Sequence, residues 1–215
     1  SVGEMVGLDS EAIYNGFEPS DFRPYADTSK IKNHFQIAYI GTLYDGQDIS
    51  IFIEAYKRFI QAKKPSCNLF FPGLDLDLAQ KTRVEKLLEG YENYYKTSLR
   101  IPKSEILKIE KESHLLLHVA WKGHAGIIAS KIYEYIGSGS KIIVAPGDGG
   151  SIDNVIKQSK SGFIFDDVHL VFDFLCDEYD KFIRSEKLNL KNSSSRMQFT
   201  RENQAMKLGA ILNKV

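Results

Sequence analysis

The chain has 215 residues, 43% of them hydrophobic, which is enough to bury one large core or two small ones. Its 28 basic and 28 acidic residues cancel, which argues against a dedicated nucleic-acid-binding protein but is compatible with a local phosphate site. The two cysteines, Cys67 and Cys176, lack metal-site or redox-motif spacing, so we expect buried free thiols in a reducing cytoplasm. No apolar run approaches the roughly 20 residues that span a bilayer. Residues 1–10 hold two acids and no basic residue, unlike a signal peptide.

Segments typical of strands and helices alternate along the chain. Short apolar runs that end at glycine, proline or a loop predict strands at 35–40, 68–71, 99–101, 114–120, 141–145 and 162–165. Amphipathic stretches predict helices at 48–62, 78–88, 103–112, 130–138, 152–160, 168–183 and 199–212. The Ser-rich stretch 189–195 predicts a loop. This alternation predicts an α/β fold, a doubly wound parallel sheet that binds ligands at the carboxyl ends of its strands.

Two loops at such strand ends carry candidate ligand groups. In the first, residues 41–47 (GTLYDGQ), Gly41 and Thr42 lie between a strand and a helix, where free backbone N–H groups hold phosphates; a plain turn explains the same residues. In the second, residues 121–126 (WKGHAG), Gly123 and Gly126 let the backbone approach a ligand closely. The helix that follows would direct the positive end of its dipole at an anion. We expect Trp121 to pack and His124 to be exposed.

The helix that follows the second loop holds the sharpest feature. Lys131 and Glu134 are three residues apart, so they share a face, and a surface ion pair is the simplest explanation of the two residues alone. Asp75 and Asp77 have the spacing of a metal signature, but they also suit a helix N-terminus, and we predict no metal site.

The string from 129 to 146, ASKIYEYIGSGSKIIVAP, resembles the family-4-type retaining glycosyltransferases of GT-B architecture (glycosyl transferases group 1). Many of these carry P-S-K-hydrophobic-aromatic-E-Y-hydrophobic-A-x-G-K-P-hydrophobic-hydrophobic-A. Further pieces follow in the family's order: IYNGF at 13–17, AYIGTLY at 38–44, RIPKSEIL at 100–107 and SGFIF at 161–165. The resemblance implies a Rossmann-like domain, the C-terminal, donor-binding half of a GT-B fold.

By this resemblance, Glu134 would accept hydrogen bonds from the ribose hydroxyls of a nucleoside-diphosphate sugar. The backbone near Arg100 and Ile101 would pair with the base, and the loop from Thr42 to Gln47 would line the diphosphate. The implied substrate-binding set is Gly41, Thr42, Gln47, Arg100, Ile101, Gly126, Ile127, Ile128, Lys131 and Glu134. The reaction would transfer a sugar to a glycan or lipid-linked acceptor, with no cofactor, no obligatory metal and no catalytic residue assigned in this chain.

The sequence departs from the family in three places. The family often has two glutamates separated by seven residues, and Gly126 stands at the first of these positions. The loop after the first strand has no basic residue, and Lys141 stands where the family commonly has proline. Lys122 and Lys131 are therefore the nearby cations for a diphosphate.

The resemblance also predicts the organisation of the protein. Residues 1–34 would be an interdomain lead-in, 35–195 the nucleotide-sugar-binding domain, and 196–215 a crossover helix. The partners implied are the donor and the missing N-terminal domain of the same enzyme, with peripheral membrane association of the full-length protein and no nucleic acid. We expect the chain alone to be inactive.

Two alternatives remain at this stage. A GT-B sugar-nucleotide epimerase would need a set of acid–base carboxylates and histidines that the sequence does not assemble. A non-catalytic Rossmann-like interaction domain is favoured by Gly126 in place of glutamate and disfavoured by the ordered motifs.

Overall fold

The computed structural model describes residues 11–26, 28–31, 33–121, 123, 124, 126–185 and 194–213. Its strands are β1 (Phe35–Ala38), β2 (Cys67–Pro72), β3 (Tyr95–Ser98), β4 (Leu115–His118), β5 (Lys141–Val144) and β6 (Gly162–Ile164). Its α-helices are α1 (Ser50–Lys63), α2 (Leu78–Leu87), α3 (Lys103–Glu112), α4 (Lys131–Ser138), α5 (Ser151–Ser159), α6 (Val168–Ile183), α7 (Ser194–Met197) and α8 (Arg201–Leu212). Short 3₁₀ segments lie at Pro19–Tyr25, Leu74–Leu76 and Glu92–Tyr94.

The six strands form one sheet in the order β3-β2-β1-β4-β5-β6, and every pair of neighbours is parallel. The chain first builds outward from β1 through β2 to β3, and then crosses to the other side of β1 to start β4. The strand order thus reverses between β1 and β4, and a doubly wound sheet opens its ligand crevice at that point. The predicted α/β fold class is confirmed.

The apolar strands form because both faces of the sheet are covered. In β4, Leu115 and Leu117 pack into a core with α1 and α6, whereas Leu116 packs into a second core with α4 and α5. Side chains alternate between faces along a strand, so a strand buried on both sides must be apolar at successive positions. This is why HLLLHVA is recognisable as a strand.

One predicted strand was wrong. The sequence predicts a strand at 99–101, but β3 pairs Tyr95–Ser98 with β2 in the register Leu69↔Tyr95, and Leu99 is exposed. Because β3 is an edge strand, its side chains are polar or only half-buried and leave no apolar run to recognise. The bounds of α3 and α6 agree with the sequence prediction.

Two smaller expectations also need correction. Cys67 is buried as expected, but Cys176 is only half-buried. The loop predicted at 189–195 ends in the short helix α7 from Ser194, and its residues 189–193 lie outside the described part of the chain.

The two ends of the described chain meet beside α4. Phe17 forms an isolated parallel bridge with Thr200, and its N–H donates to Phe199 O at 2.9 Å. A Cβ at Gly137, on α4, would lie 2.6 Å from the Phe17 ring, so glycine lets the lead-in residues pack directly on the helix. Beyond this contact, α8 leaves an exposed apolar set: Met206, Leu208 and Leu212.

The described residues offer neither a membrane span nor a metal site. None of their helices is both long and apolar enough to cross a bilayer. They also contain no cluster of three or more histidine, cysteine, aspartate or glutamate side chains able to hold a metal ion. Asp77 instead caps α2, accepting from the N–H groups of Ala79 and Gln80 at 3.1 Å each.

Candidate functional site

The crevice at the switch point is built by the loop after β1 and the segment between β4 and α4. Lys131, the first residue of α4, reaches across this crevice. Its Nζ lies 3.4 Å from Tyr39 Oη and 3.4 Å from the carbonyl oxygen of Thr42, and 4.4 Å from the centre of the Tyr39 ring. The cation that the loop sequence lacks is thus supplied from the start of the helix.

Gly41 makes room for that ammonium group. Its φ of +92° belongs to the left-handed region, and a Cβ there would lie 3.4 Å from Lys131 Nζ. Burial lowers the pKa of Lys131 to about 8, because a desolvated ammonium is disfavoured. Both of its hydrogen bonds are long, so the described residues give this cation no strong acceptor.

A groove of about 310 Å³ opens beside Lys131. Side chains from both loops and from the start of α4 line it: Thr42, Tyr44, Trp121, Ile127, Ala129, Ser130 and Lys131. Ser130, at the N-cap of α4, makes no side-chain cap hydrogen bond. A partly buried cation and a helix N-terminus without a side-chain cap therefore face one open space, which is the electrostatic setting for an anion.

Another glycine-rich loop, residues 146–150 (PGDGG), leads into α5, and there the helix N-terminus is already occupied. The Asp148 carboxylate accepts from the N–H groups of Gly150, Ile152 and Asp153, at 2.8, 3.1 and 3.3 Å. Burial by itself would raise the pKa of Asp148, but these hydrogen bonds outweigh it, so the pKa lies below its ordinary value. The chain's own carboxylate thus fills this anion position, and the start of α4 is the open one.

Glu134 lies one turn along α4 from Lys131, but the two do not pair. Glu134 is half-exposed, and its Oε1 lies 3.9 Å from Lys103 Nζ at the start of α3. Lys103 in turn makes a closer contact, 2.7 Å, with Asp21 Oδ2. The simple surface pair of Lys131 with Glu134 is therefore wrong, and Glu134 is turned towards α3.

The loop that leads into α3 carries Arg100 and Ile101, and Arg100 is exposed whereas Ile101 is half-buried. The structure thus distributes the sequence-predicted residues over two adjoining places. Gly41, Thr42, Ile127 and Lys131 meet at the crevice, whereas Glu134 faces the start of α3.

Gln47 is not a groove residue, contrary to the sequence prediction. Its side chain is buried, donating to Val119 O and accepting from Tyr44 N at 3.0 Å and from Tyr39 Oη at 3.3 Å. These bonds use the amide within the protein and tie the loop after β1 to the end of β4. Sequence reasoning cannot distinguish this role from ligand binding, because both require a polar side chain in the loop.

Gly126 has a backbone that forbids the family's glutamate in this conformation. Its φ is +105°, and a Cβ placed there would meet no atom within 4 Å. The space is open, but the backbone conformation strains any side chain. Ile127 is 49% exposed at the groove, and Ile128 is half-buried. His124 is exposed as expected, and Lys122 lies outside the described residues.

Two buried polar groups near the site were missed by the sequence reasoning. Glu110 is fully buried, with neither carboxyl oxygen bonded to a described residue; burial raises its pKa well above the usual value, helped by Glu134. His118 ends β4, and its Nδ1 has no partner among the same residues. Burial, then the charge of Lys131, lower the pKa of His118 to about 3, so it is neutral. The signal for Glu110 was its position three residues after Leu107 on the buried face of α3.

No protein-family model matches the chain. An uncharacterized glycosyltransferase of Methanocaldococcus jannaschii is 26% identical over 166 residues, covering 74% of this chain and 40% of that protein. A glycosyltransferase structure from Rickettsia africae superposes with a TM-score of 0.73 at 14% identity, covering 97% of this chain and 58% of that one. The structure of HepE of Anabaena in complex with UDP superposes with a TM-score of 0.70 at 15% identity. The match covers 99% of this chain and 60% of HepE.

These comparisons confirm the resemblance to GT-B glycosyltransferases. The sheet has the fold of the Rossmann-like half of such proteins, and the chain spans between two fifths and three fifths of the length of the relatives it matches.

Proposed function

We propose that this chain is the donor-binding half of a glycosyltransferase, which holds a nucleoside-diphosphate sugar for transfer to a glycan or lipid-linked acceptor. The observation that carries the proposal is Lys131, an ammonium group with only long hydrogen bonds, placed between the Gly41 turn and the uncapped start of α4. A diphosphate supplies the strong acceptors that this cation lacks. The UDP complex of HepE, a protein of the same fold, supports this ligand class.

The nucleoside would lie along α4 and α3. Glu134 is one helical turn from Lys131, about 4.5 Å of rise, which suits a ribose next to the diphosphate. Among the described residues its carboxylate has one ionic contact, 3.9 Å from Lys103, and it can accept from two adjacent hydroxyls. The backbone at Arg100 and Ile101, which leads into α3, is the candidate contact for the base.

The remainder of the enzyme would lie in an N-terminal domain that binds the acceptor. The relatives are longer than this chain, and α8 exposes Met206, Leu208 and Leu212, an apolar set suited to packing on another domain. We propose the division 1–34 for the lead-in, 35–195 for the donor domain and 196–215 for the crossover helix. A cytoplasmic location and peripheral membrane association of the whole protein belong to the same proposal. The comparisons do not favour an epimerase or a non-catalytic domain.

Calorimetry of the purified chain with UDP, GDP, dTDP and ADP tests the proposal. We expect one of them to bind with a Kd between about 10 μM and 1 mM, because half of the cleft is absent. The corresponding nucleoside without phosphates is the control, and it should bind more weakly. No heat and no thermal stabilisation with any diphosphate at millimolar concentration would contradict the proposal.

The same preparation should transfer no sugar, because positioning of the acceptor and closure of the cleft both require the other domain. Transfer proportional to the concentration of the chain would show that the active site lies within it.

A further inference from the structure

Two aromatic side chains stand at the mouth of the groove beside Lys131. Tyr44, from the loop after β1, is 52% exposed, and Trp121, from the segment after β4, is half-buried. Their ring centres are 5.4 Å apart, with the planes tilted by 33°. Exposed aromatic surface within a groove is a common sign of ligand recognition, because burying it on binding is favourable.

The position of the groove relative to Glu134 and Lys131 indicates which part of the proposed ligand would occupy it. Glu134 faces the start of α3, where the nucleoside would lie, and Lys131 is one turn nearer the N-terminus of α4. The groove lies beyond Lys131 and is not lined by Glu134. A ligand that runs from ribose at Glu134 to diphosphate at Lys131 therefore continues into the groove, and the group that follows the diphosphate is the donor sugar.

The groove has no carboxylate with which to hold sugar hydroxyls. Its described lining residues include no aspartate or glutamate, and Gly126 at φ +105° does not accommodate one in this conformation. The groove surface consists of the two aromatic rings, Ile127 and Ala129, with one cation and the short hydroxyl side chains of Thr42 and Ser130. Such a surface fits the C–H groups on one face of a pyranose ring better than it fits the hydroxyls at the ring edge.

The backbones of the two loops that carry these rings are linked to each other before any ligand binds. Gln47 accepts from the N–H of Tyr44 at 3.0 Å and donates to Val119 O, so one buried amide links the two loops. Gly46 leaves space for the indole, since a Cβ there would lie 2.9 Å from Trp121 Cδ1. Loops that are already tied together lose less conformational entropy on binding than free loops do.

We infer that Tyr44 and Trp121 form a stacking platform for the sugar ring of the donor. The class of sugar is a hexose or deoxyhexose bound through a nonpolar C–H face, in place of recognition by a carboxylate. This inference rests on the proposed donor-binding function and assigns the part of the site that discriminates a nucleotide sugar from the free nucleotide.

Trp121 is the sole tryptophan of the chain, so intrinsic fluorescence reports on the platform directly. The titration uses the diphosphate that binds in the calorimetric panel and its sugar conjugates, for example UDP with UDP-glucose and UDP-galactose, or dTDP with dTDP-rhamnose. We expect a saturable emission change with at least one sugar conjugate and a much smaller change with the free diphosphate.

Calorimetry on platform variants gives the second measurement. Tyr44→Ala and Trp121→Ala should each weaken the sugar conjugate by about three- to tenfold, the range that aromatic contacts contribute, and change the free diphosphate by less than twofold. Tyr44→Phe keeps the ring and should bind as wild type does. Phe163→Ala removes a similarly exposed aromatic ring from the edge strand β6 and should change neither affinity.

Each outcome is decisive once thermal unfolding shows that the variants are folded. If the variants weaken the free diphosphate as much as the conjugate, or weaken neither, the platform does not contact the sugar and the inference is overturned while the proposed function stands. If wild type binds no diphosphate, the proposed function is overturned and the inference with it.

Discussion

Two partly buried lysines at opposite ends of the sheet differ in the acceptors that surround them: one is bonded within the protein, and the other faces an open groove. Lys30 lies near the amino ends of β4 and β5, and its Nζ donates to Lys111 O at 2.7 Å, to Ser113 O at 2.6 Å and to Ser140 Oγ. Lys131 lies at the carboxyl ends of β1 and β4, with two contacts of 3.4 Å.

The pKa values alone do not separate the two lysines. Burial lowers the pKa of Lys30 to about 7, with the charges of Lys111 and Arg196 adding to the effect, and burial lowers that of Lys131 to about 8. The difference is in their acceptors. Lys30 has three close hydrogen-bond acceptors, so its desolvation is compensated within the protein, whereas the described residues give Lys131 two long contacts and leave it open to an anion. In this protein the acceptors around each ammonium group, and not its shifted pKa, distinguish the structural lysine from the candidate ligand lysine.

The largest expected effect concerns the structural lysine. Lys30→Met leaves buried acceptors at Lys111 and Ser113 without a donor, and we expect the free energy of unfolding to fall by about 2–4 kcal/mol. Denaturant unfolding measures this loss. Lys108→Met, at an exposed lysine on α3, is the control and should change stability by less than about 0.5 kcal/mol. Nucleotide affinity of the folded Lys30 variant should stay within about twofold of wild type.

Lys131→Met should give the opposite result. Loss of a charged hydrogen-bond donor to the diphosphate should weaken binding by about ten- to a hundredfold, whereas stability should be unchanged or slightly raised. Calorimetry and thermal unfolding on the same preparation measure both quantities. If Lys131→Met destabilises the fold as much as Lys30→Met and binds nucleotide as wild type does, the two lysines have the same role and the comparison fails.

A third variant extends the comparison from the cation to the neighbouring carboxylate. Glu134→Ala should weaken nucleotide binding by about tenfold, because it removes a charged hydrogen bond to ribose, while the melting temperature changes little. Glu105→Ala, at an exposed glutamate on α3, is the matched control. A nucleotide without the ribose hydroxyls should bind wild type and variant equally. Equal affinity for the intact nucleotide would exclude Glu134 as the ribose ligand.

The sequence predicted those features that depend on local pattern. β4 was recognisable because burial on both faces requires an apolar run, and α3 and α6 because their apolar stripes are regular. β3 was misplaced because a polar edge strand has no such run, and its register is fixed only by pairing with β2.

At the site, sequence reasoning identified the residue types but not their orientation. It selected Lys131 and Glu134 as ligand residues through the family resemblance, but from the two residues alone it favoured an ion pair, since three-residue spacing places them on one face. It included Gln47 as a ligand residue and missed Glu110 and His118, because the direction of a side chain, inward or into a crevice, depends on which elements pack beside it.

The smallest expected effect is a pH dependence that distinguishes the two lysines in solution. Burial lowers the pKa of Lys131 from its ordinary 10.5 to about 8, so the unfolded chain binds more protons between these values and Lys131 makes stability rise with pH over that window. The pKa of Lys30 is lowered to about 7, so Lys30 also makes stability rise with pH, from pH 7 to 10.5. The pH dependence of stability therefore does not distinguish the two lysines. The pH dependence of nucleotide binding does distinguish them, because a bound diphosphate stabilises the charged form of Lys131 and does not contact Lys30.

Affinity should therefore fall as the pH rises from 7 to 9, by up to about tenfold, and binding at pH 8.5 should take up a fraction of a proton. Calorimetry in two buffers of different ionisation enthalpy measures this uptake. We expect it to persist in Lys30→Met and to disappear in Lys131→Met. Uptake that survives in Lys131→Met would assign the titrating group elsewhere and would remove Lys131 as the diphosphate ligand.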